Sequence, residues 1–203
     1  MLIHGVWLVI SSCVTWLGVP MAQADDSRLA DIGPAPETVL VDARTEQPFR
    51  LADLQSQGKA ALVSFVYTTC NGSCPATTHT MYRVQEELKR CGLWGDRVAL
   101  VSISLDPKTD RPEILSRYAE IFGADPSGWH FLTGDPKPVS EVIASWDMWA
   151  RIGPSGTLDH PSRIFLVDPN GRQREIYNLQ FLDPESVVSD IRLVLDETST
   201  EAR

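Results

Sequence analysis

The chain is short of positive charge. Its 203 residues include 18 Lys and Arg against 27 Asp and Glu, which gives a formal net charge of -9. A nucleic-acid-binding surface needs clustered positive charge, and so does attachment to anionic lipid headgroups. Nucleic acid and anionic membrane surfaces are therefore excluded as main partners.

Charged residues are absent from the first 24 positions. Met1 to Ala24 contains no Lys, Arg, Asp or Glu and ends in the small-x-small sequence Ala22-Gln23-Ala24. This pattern predicts a secretory signal peptide over residues 1–24 and a periplasmic mature protein. The positive charge usual at the start of a signal peptide is missing, so an uncleaved membrane anchor stays open as the alternative.

No internal repeat and no second membrane-spanning run follow this leader. Residues 25–36 are polar and contain proline, which predicts a linker. Residues 37–197 are long enough to form one domain with a sizeable core, and residues 198–203 are expected to be a loose tail.

Cysteine is scarce and its number is odd once the leader is removed. Of the four cysteines, Cys13 lies in the predicted leader, which leaves Cys70, Cys74 and Cys91. In an oxidising compartment an odd number leaves at least one thiol unpaired or shared with another molecule. Cys91 falls on the apolar side of a predicted helix, so we expect a buried, inert core thiol.

Cys70 and Cys74 follow an abruptly ended apolar run. Residues 60–66 are typical of a buried strand, and apolar spacing becomes helical after Pro75, so both thiols lie on a strand-to-helix turn. Backbone N–H groups and the positive end of the helix dipole are expected to lower the pKa of both thiols. Three intervening residues, against two in the thioredoxin redox motif, give a wider loop that can open both sulfurs toward a metal. A structural disulfide is the alternative.

The other hydrophobic patterns predict an α/β fold with a mixed central sheet flanked by helices and an N-terminal β-hairpin. The hairpin covers residues 38–51, a second buried strand covers 98–105, and a final antiparallel hairpin covers 162–177, with helices between them and one from Pro184. Trp146 and Trp149 share a predicted helical stripe and are expected in the core. His79 is expected to be exposed, and His130 to lie in the core or at a sheet edge.

Three blocks of sequence, in order, resemble the SCO/SenC family. They are Tyr67-Thr-Thr-Cys70-Asn-Gly-Ser-Cys74-Pro75, Val101-Ser-Ile-Ser-Leu-Asp106-Pro107 with Asp110, and Asp159-His160 ahead of Ile164-Phe-Leu-Val-Asp168. This family comprises copper-binding, thioredoxin-like proteins associated with assembly of the CuA centre of cytochrome c oxidase.

The resemblance implies a thioredoxin-like fold and one bound copper ion per chain. It implies as partner the CuA subunit of cytochrome c oxidase or another periplasmic copper protein. Carried over residue by residue, Cys70, Cys74 and His160 match the family's copper ligands, while Asp106 matches a position outside the ligand set. Two thiolates and an imidazole suit copper because sulfur is a soft ligand, and zinc is the competing metal.

Two other activities are compatible with the thiols. Pro161 follows His160 where the family commonly has serine, and it resembles the cis-proline that faces the thiols in thioredoxins. This feature favours the alternative of a thiol:disulfide reductase, with Cys70 and Cys74 as redox residues, that keeps the copper-ligand cysteines of a partner reduced. A peroxiredoxin-like peroxidase is the weakest alternative, since no proline lies between Lys59 and Cys70.

Cleavage after Ala24 predicts a mature protein that begins at Asp25. The intact mass of the protein purified from the exported compartment measures this directly. Retention of Met1 in the exported protein would identify a membrane-anchored form instead.

Overall fold

The computed structural model describes residues 29–70, 72–153, 157–178 and 182–201, which contain ten strands and five helices. The strands are β1 (Gly33–Pro34), β2 (Val39–Asp42), β3 (Pro48–Arg50), β4 (Ala60–Val66), β5 (Val98–Ser104), β6 (Trp129–Thr133), β7 (Arg151–Ile152), β8 (Leu158–Asp159), β9 (Arg163–Val167) and β10 (Arg172–Asn178). The helices are α1 (Leu51–Ser56), α2 (Ser73–Arg90), α3 (Pro112–Ile121), α4 (Pro136–Ser145) and α5 (Pro184–Glu201).

Eight of the strands form one mixed sheet in the order β1-β10-β9-β4-β5-β6-β2-β3. The central strands β4, β5 and β6 run parallel, and the other neighbours pair antiparallel. The predicted mixed sheet is therefore confirmed, together with the N-terminal hairpin β2–β3 and the final hairpin β9–β10. Strands β7 and β8 form a separate two-stranded sheet.

The two central strands, β4 and β5, are buried along their whole length and are largely apolar, because both of their faces are covered. On β4, Leu62 and Val66 pack into one core with α2, α3 and α5, while Val63 and Phe65 pack into a second core with α1 and α4. Each fully buried large apolar side chain contributes roughly 1.5–3 kcal/mol relative to its exposed state. Burial in two cores therefore fixes the position of β4, whose end carries the cysteines.

The N-terminal segment differs from the predicted linker from residue 29 onward. Gly33–Pro34 pairs with β10 as an edge strand. The Arg174 guanidinium, itself paired with Asp168 at 3.1 Å, donates to the carbonyls of Leu29 at 2.7 Å and Ala30 at 3.1 Å. A two-residue strand containing proline gives no periodic signal, which is why the sequence pattern missed it.

The last helix extends into the predicted C-terminal tail. Helix α5 continues through Glu201, so residues 198–201 of the predicted tail are helical. The predicted leader over residues 1–24 lies outside the described residues. Among the residues that are described, no helix combines the length and hydropathy that a membrane crossing requires.

Helix α3 is rotated relative to its expected apolar stripe. The helical spacing of Ile114, Tyr118 and Ile121 in the sequence predicts that all three face the core, but Ile114 and Ile121 are 37% and 72% exposed. The buried face is formed by Leu115, Tyr118 and Ala119. Alanine contributes to the true stripe but is a weak hydrophobic signal in a sequence, so the stripe was assigned to the larger residues.

Asp110 connects the loop that follows β4 to the ends of two other strands. Its side chain is fully buried, and Oδ1 accepts hydrogen bonds from the Thr68 N–H at 3.1 Å and the Thr68 hydroxyl at 2.6 Å. Oδ2 accepts from the Ser104 hydroxyl at 2.7 Å, and Thr133 donates to the Asp110 carbonyl at 2.8 Å. Burial raises the pKa of Asp110 although the bonds from Thr68 and Ser104 oppose the rise.

Replacing Asp110 by alanine should destabilise the metal-free, reduced protein by about 2–4 kcal/mol, because Thr68 and Ser104 lose their buried acceptor. Urea denaturation measures the change. The nearby, half-buried Asp106 supplies the control, since Asp106→Ala should change the free energy of unfolding by only about 0.5 kcal/mol. Equal stability of the two variants would show that the Asp110 carboxylate does not hold these segments together.

Candidate dithiol and metal site

The candidate site lies at the sheet edge where β4 ends. Residues 67–70 lead from β4 into helix α2, which begins at Ser73. Strand β9 pairs antiparallel with β4, with Val63 opposite Phe165, so the residues just before β9 return to the same edge. The topology thus brings Cys70, Cys74 and His160, the three residues that the resemblance implies, to one edge of the sheet.

Cys70 lies in the turn before α2 and reaches the surface of a cavity. Its Sγ accepts hydrogen bonds from the N–H groups of Gly72 at 3.3 Å and Cys74 at 3.4 Å. Burial acts to raise the pKa of Cys70, but hydrogen bonds from the Tyr67 and Cys74 side chains and from those two N–H groups outweigh it and lower the pKa. The expected stabilisation of a thiolate at the helix N-terminus is present for this thiol.

Cys74 behaves in the opposite way. It lies within the first turn of α2 with only 1% of its surface exposed. Burial, followed by the hydrogen bond with Cys70, raises the pKa of Cys74 to about 12. The prediction that both thiols have a lowered pKa is therefore wrong for Cys74, because desolvation of the charged form exceeds the effect of the helix N-terminus.

His160 presents a ring nitrogen to Cys74. Its Nε2 lies 3.6 Å from Cys74 Sγ, and its Nδ1 lies 2.9 Å from the carbonyl oxygen of Pro161. A carbonyl can only accept, so Nδ1 carries the proton and Nε2 of the neutral ring has a lone pair directed at the sulfur. The His160–Pro161 peptide is trans, so Pro161 does not share the geometry of the thioredoxin cis-proline.

An open cavity of about 540 Å³ lies in front of Cys70 and His160. Trp149 was predicted to belong to the core, but it is 42% exposed and lines this cavity, because α4 ends at Ser145 before reaching it. Trp146 is buried, as predicted. The cavity is lined by Tyr67, Cys70, Gly72, Trp149, Thr157, Leu158, Asp159 and His160.

The donor set fits a soft metal ion. Ligands about 2.3 Å (sulfur) and 2.0 Å (nitrogen) from a tetrahedral metal are themselves roughly 3.6 Å apart. Cys74 Sγ and His160 Nε2 have this separation. No three Cys, His, Asp or Glu side chains among the described residues are already assembled around a single point, so binding by all three residues requires a side-chain adjustment.

Three other candidate residues lie away from this constellation. Cys91 is only half-buried and its Sγ lies 2.7 Å from Arg192 Nη2, so the prediction of a fully buried thiol is wrong. His79 is exposed, as expected. His130 lies in strand β6, and its Nδ1 is 2.9 Å from Asp42 Oδ2.

Two residues that support the site were missed by sequence reasoning. Asp110 was noted only as part of an acidic loop with Asp106, yet Asp110 is buried and Asp106 is half-buried. Tyr67 was named only as the first residue of the block that contains the cysteines and was given no role in the site, although its hydroxyl donates to the Leu158 carbonyl at 3.2 Å. For Tyr67 the available signal was its position just before the dithiol motif, whereas Asp110 lies far from that motif in the sequence.

Comparison with known proteins shows the family of this chain. Residues 40–196 match the SCO1/SenC family. The chain belongs to the SCO1/SenC family. It is 29% identical over 140 residues to the SCO1 protein homolog of Bacillus subtilis, which covers 67% of this chain and 71% of that protein. The match to a SCO2-like protein of Rickettsia felis spans 57% of that relative's length.

Solved structures of the same family show the same thioredoxin-like fold. Bradyrhizobium japonicum ScoI, solved with copper bound, is 28% identical with a TM-score of 0.67, covering 80% of this chain and 99% of that one. BsSco is 26% identical with a TM-score of 0.67, and the match covers 80% of this chain and 94% of that one. BsSco is described with a disulfide switch and as a member of the Sco family of cytochrome c oxidase assembly proteins. The predicted family and fold are both confirmed.

The opposite pKa shifts predict unequal reactivity of the two thiols. In a Cys91→Ser background, iodoacetamide should label Cys70 first, because its lowered pKa gives more thiolate at neutral pH, and Cys74 much more slowly. The pH midpoint of Cys70 labelling should lie below the ordinary thiol value of about 8.5. Mass spectrometry of digested samples reports each site. Faster labelling of Cys74 than of Cys70 would contradict the assignment.

Proposed function

We propose that this chain is an exported copper-binding protein that holds one copper ion through Cys70, Cys74 and His160. The observation that carries the proposal is the lone pair of His160 Nε2 directed at Cys74 Sγ over 3.6 Å, with Nδ1 already bonded to the Pro161 carbonyl. A fixed tautomer with a free Nε2 is the arrangement that metal-binding histidines adopt.

The ligand chemistry favours copper over the other first-row metals. Two sulfurs and one imidazole are soft donors, and copper binds such ligands more tightly than zinc does. Copper bound to the related ScoI supports the same choice here. Zinc is the competitor to include in a binding experiment, since two cysteines and one histidine also occur in zinc sites.

Metal binding by these residues must displace protons. Cys70 is the thiol that ionises readily, whereas Cys74, with a pKa raised to about 12, keeps its proton at neutral pH until a cation replaces it. Affinity for the metal should therefore increase as pH rises toward the pKa of Cys74.

The recipient of the copper is proposed to be the CuA subunit of cytochrome c oxidase or another periplasmic copper protein. Membership of the SCO1/SenC family and the description of BsSco as an assembly protein support this choice. The uncharged leader over residues 1–24 supports export to the periplasm. The cavity in front of Cys70 is open, so a partner can approach the site directly.

A second candidate function, thiol:disulfide reduction, is favoured by the inequality of the two thiols. The Cys70 thiolate can attack a disulfide of a partner, which breaks that bond, releases one partner thiolate and forms a mixed disulfide. Cys74, after losing its proton, then attacks Cys70 Sγ and releases the second partner thiolate. The partner is thereby reduced by two electrons, and Cys70 and Cys74 are left as a disulfide.

Replacing His160 by alanine should separate the two functions. Disulfide exchange uses the thiols alone, so exchange with a test disulfide should stay within about twofold of wild type. Cu(II) affinity, measured by competition with a chelator, should fall by about 100-fold or more, and Cu(I) affinity should fall less because two thiolates can hold Cu(I). Cys74→Ser should weaken the binding of both oxidation states.

The matched control is His79→Ala, which removes an exposed imidazole from α2 and should leave copper binding unchanged. The functional readout is CuA-dependent oxidase activity of cells grown in copper-limited medium with only the His160→Ala protein. Normal activity in these cells would mean that coordination by His160 is dispensable, and the reductase function would replace the copper-carrier function.

A further inference from the structure

Along the chain, only the strand that follows His160 belongs to the main sheet. It lies between β8, which pairs with β7 in a separate two-stranded sheet, and β9, where pairing with the main sheet begins at Arg163. The cysteines, by contrast, follow β4, the strand paired on both sides at the centre of the sheet. The position of His160 relative to the thiols therefore depends on contacts outside the ladder of the main sheet.

Tyr67 supplies such contacts from the cysteine side. Its side chain is 5% exposed, and its hydroxyl donates to the backbone carbonyl of Leu158 on β8 at 3.2 Å. Its ring meets the ring of His160 edge to face, with centroids 5.7 Å apart and planes at 89°. The backbone carbonyl of Tyr67 accepts the Cys70 N–H at 3.3 Å. One residue thus contacts the cysteine turn, β8 and the imidazole.

We propose that Tyr67 is a positioning residue that holds the segment bearing His160 against the dithiol. The inference rests on the proposed copper-binding function for its consequence, but the contact itself is a property of the metal-free chain. The Tyr67 ring limits the orientations open to the imidazole. The Tyr67 hydroxyl, through its bond to Leu158, fixes the position of β8 relative to the cysteine turn. Without the hydroxyl, His160 samples more positions and spends less time with Nε2 directed at Cys74.

The test replaces Tyr67 by phenylalanine, which keeps the ring and removes the hydroxyl. In the metal-free protein, amide hydrogen exchange of residues 157–160, measured by mass spectrometry, should become several-fold faster, while exchange of β4 and β5 stays unchanged. Cu(II) affinity should fall roughly tenfold, the low end for loss of a residue that orients a metal ligand. Tyr177→Phe is the matched control, since its hydroxyl bonds Asp190 at 2.9 Å and Tyr177 does not line the cavity in front of Cys70 and His160.

A double-mutant cycle shows whether Tyr67 acts through His160. Tyr67 also contributes to the lowered pKa of the Cys70 thiol, so a direct effect on that thiol is the competing explanation. If Tyr67 positions His160, Tyr67→Phe should cost less than about twofold in copper affinity once His160 is already alanine. The same tenfold loss in both backgrounds would overturn the proposal, and so would unchanged exchange of residues 157–160.

Failure of the copper-binding function would be seen separately. If the wild-type protein bound no copper, the affinity measurements would give no information about Tyr67. The exchange experiment would still decide whether Tyr67 holds residues 157–160 in place. Faster exchange at residues 157–160 together with absent copper binding would retain the positioning role and reject only the metal.

Discussion

The antiparallel pairing of β9 with β4 is the constraint on which the candidate site depends. Residue 160 is far from the cysteines in sequence, and only a strand running back alongside β4 returns it to the edge where β4 ends. Both strands are held by burial in the two cores on either side of the sheet. The imidazole therefore meets the dithiol as a result of topology, and the hydrophobic packing of β4 and β9 determines whether these side chains meet.

The first turn of α2 makes two chemically different thiols from one short motif. Cys70 precedes the helix and receives N–H groups from it, whereas Cys74 is part of the helix and has lost its water. Hydrogen bonding favours the charged form of the first, and desolvation disfavours the charged form of the second. A copper carrier and a disulfide reductase can both use this difference, which is why His160 and not the cysteines separates the two functions.

The parts of the fold with strong periodicity could be predicted from the sequence, and the parts that depend on local geometry could not. Strands β4 and β5 are recognisable in the sequence as mainly apolar runs, because both faces of each strand are buried. Trp149 was misplaced because a helical stripe does not show where the helix ends. The pKa of Cys74 was misjudged because a position at a helix N-terminus does not show how deeply the thiol is buried from solvent. The hydrogen bonds of Asp110 and Tyr67 join residues distant in sequence, which no local pattern reveals.

The separate sheet of β7 and β8 has a consequence for the rate at which cargo leaves. A ligand borne on an element outside the main ladder can swing away without breaking any strand pairing around the dithiol. If Cys70, Cys74 and His160 hold copper as proposed, a donor from a partner would take the place of His160 while both sulfurs still hold the ion, so that the ion would pass to the partner by ligand substitution. Tight retention and fast transfer would be compatible in such a site, because transfer would require only His160 to leave, whereas the affinity would depend on all three ligands.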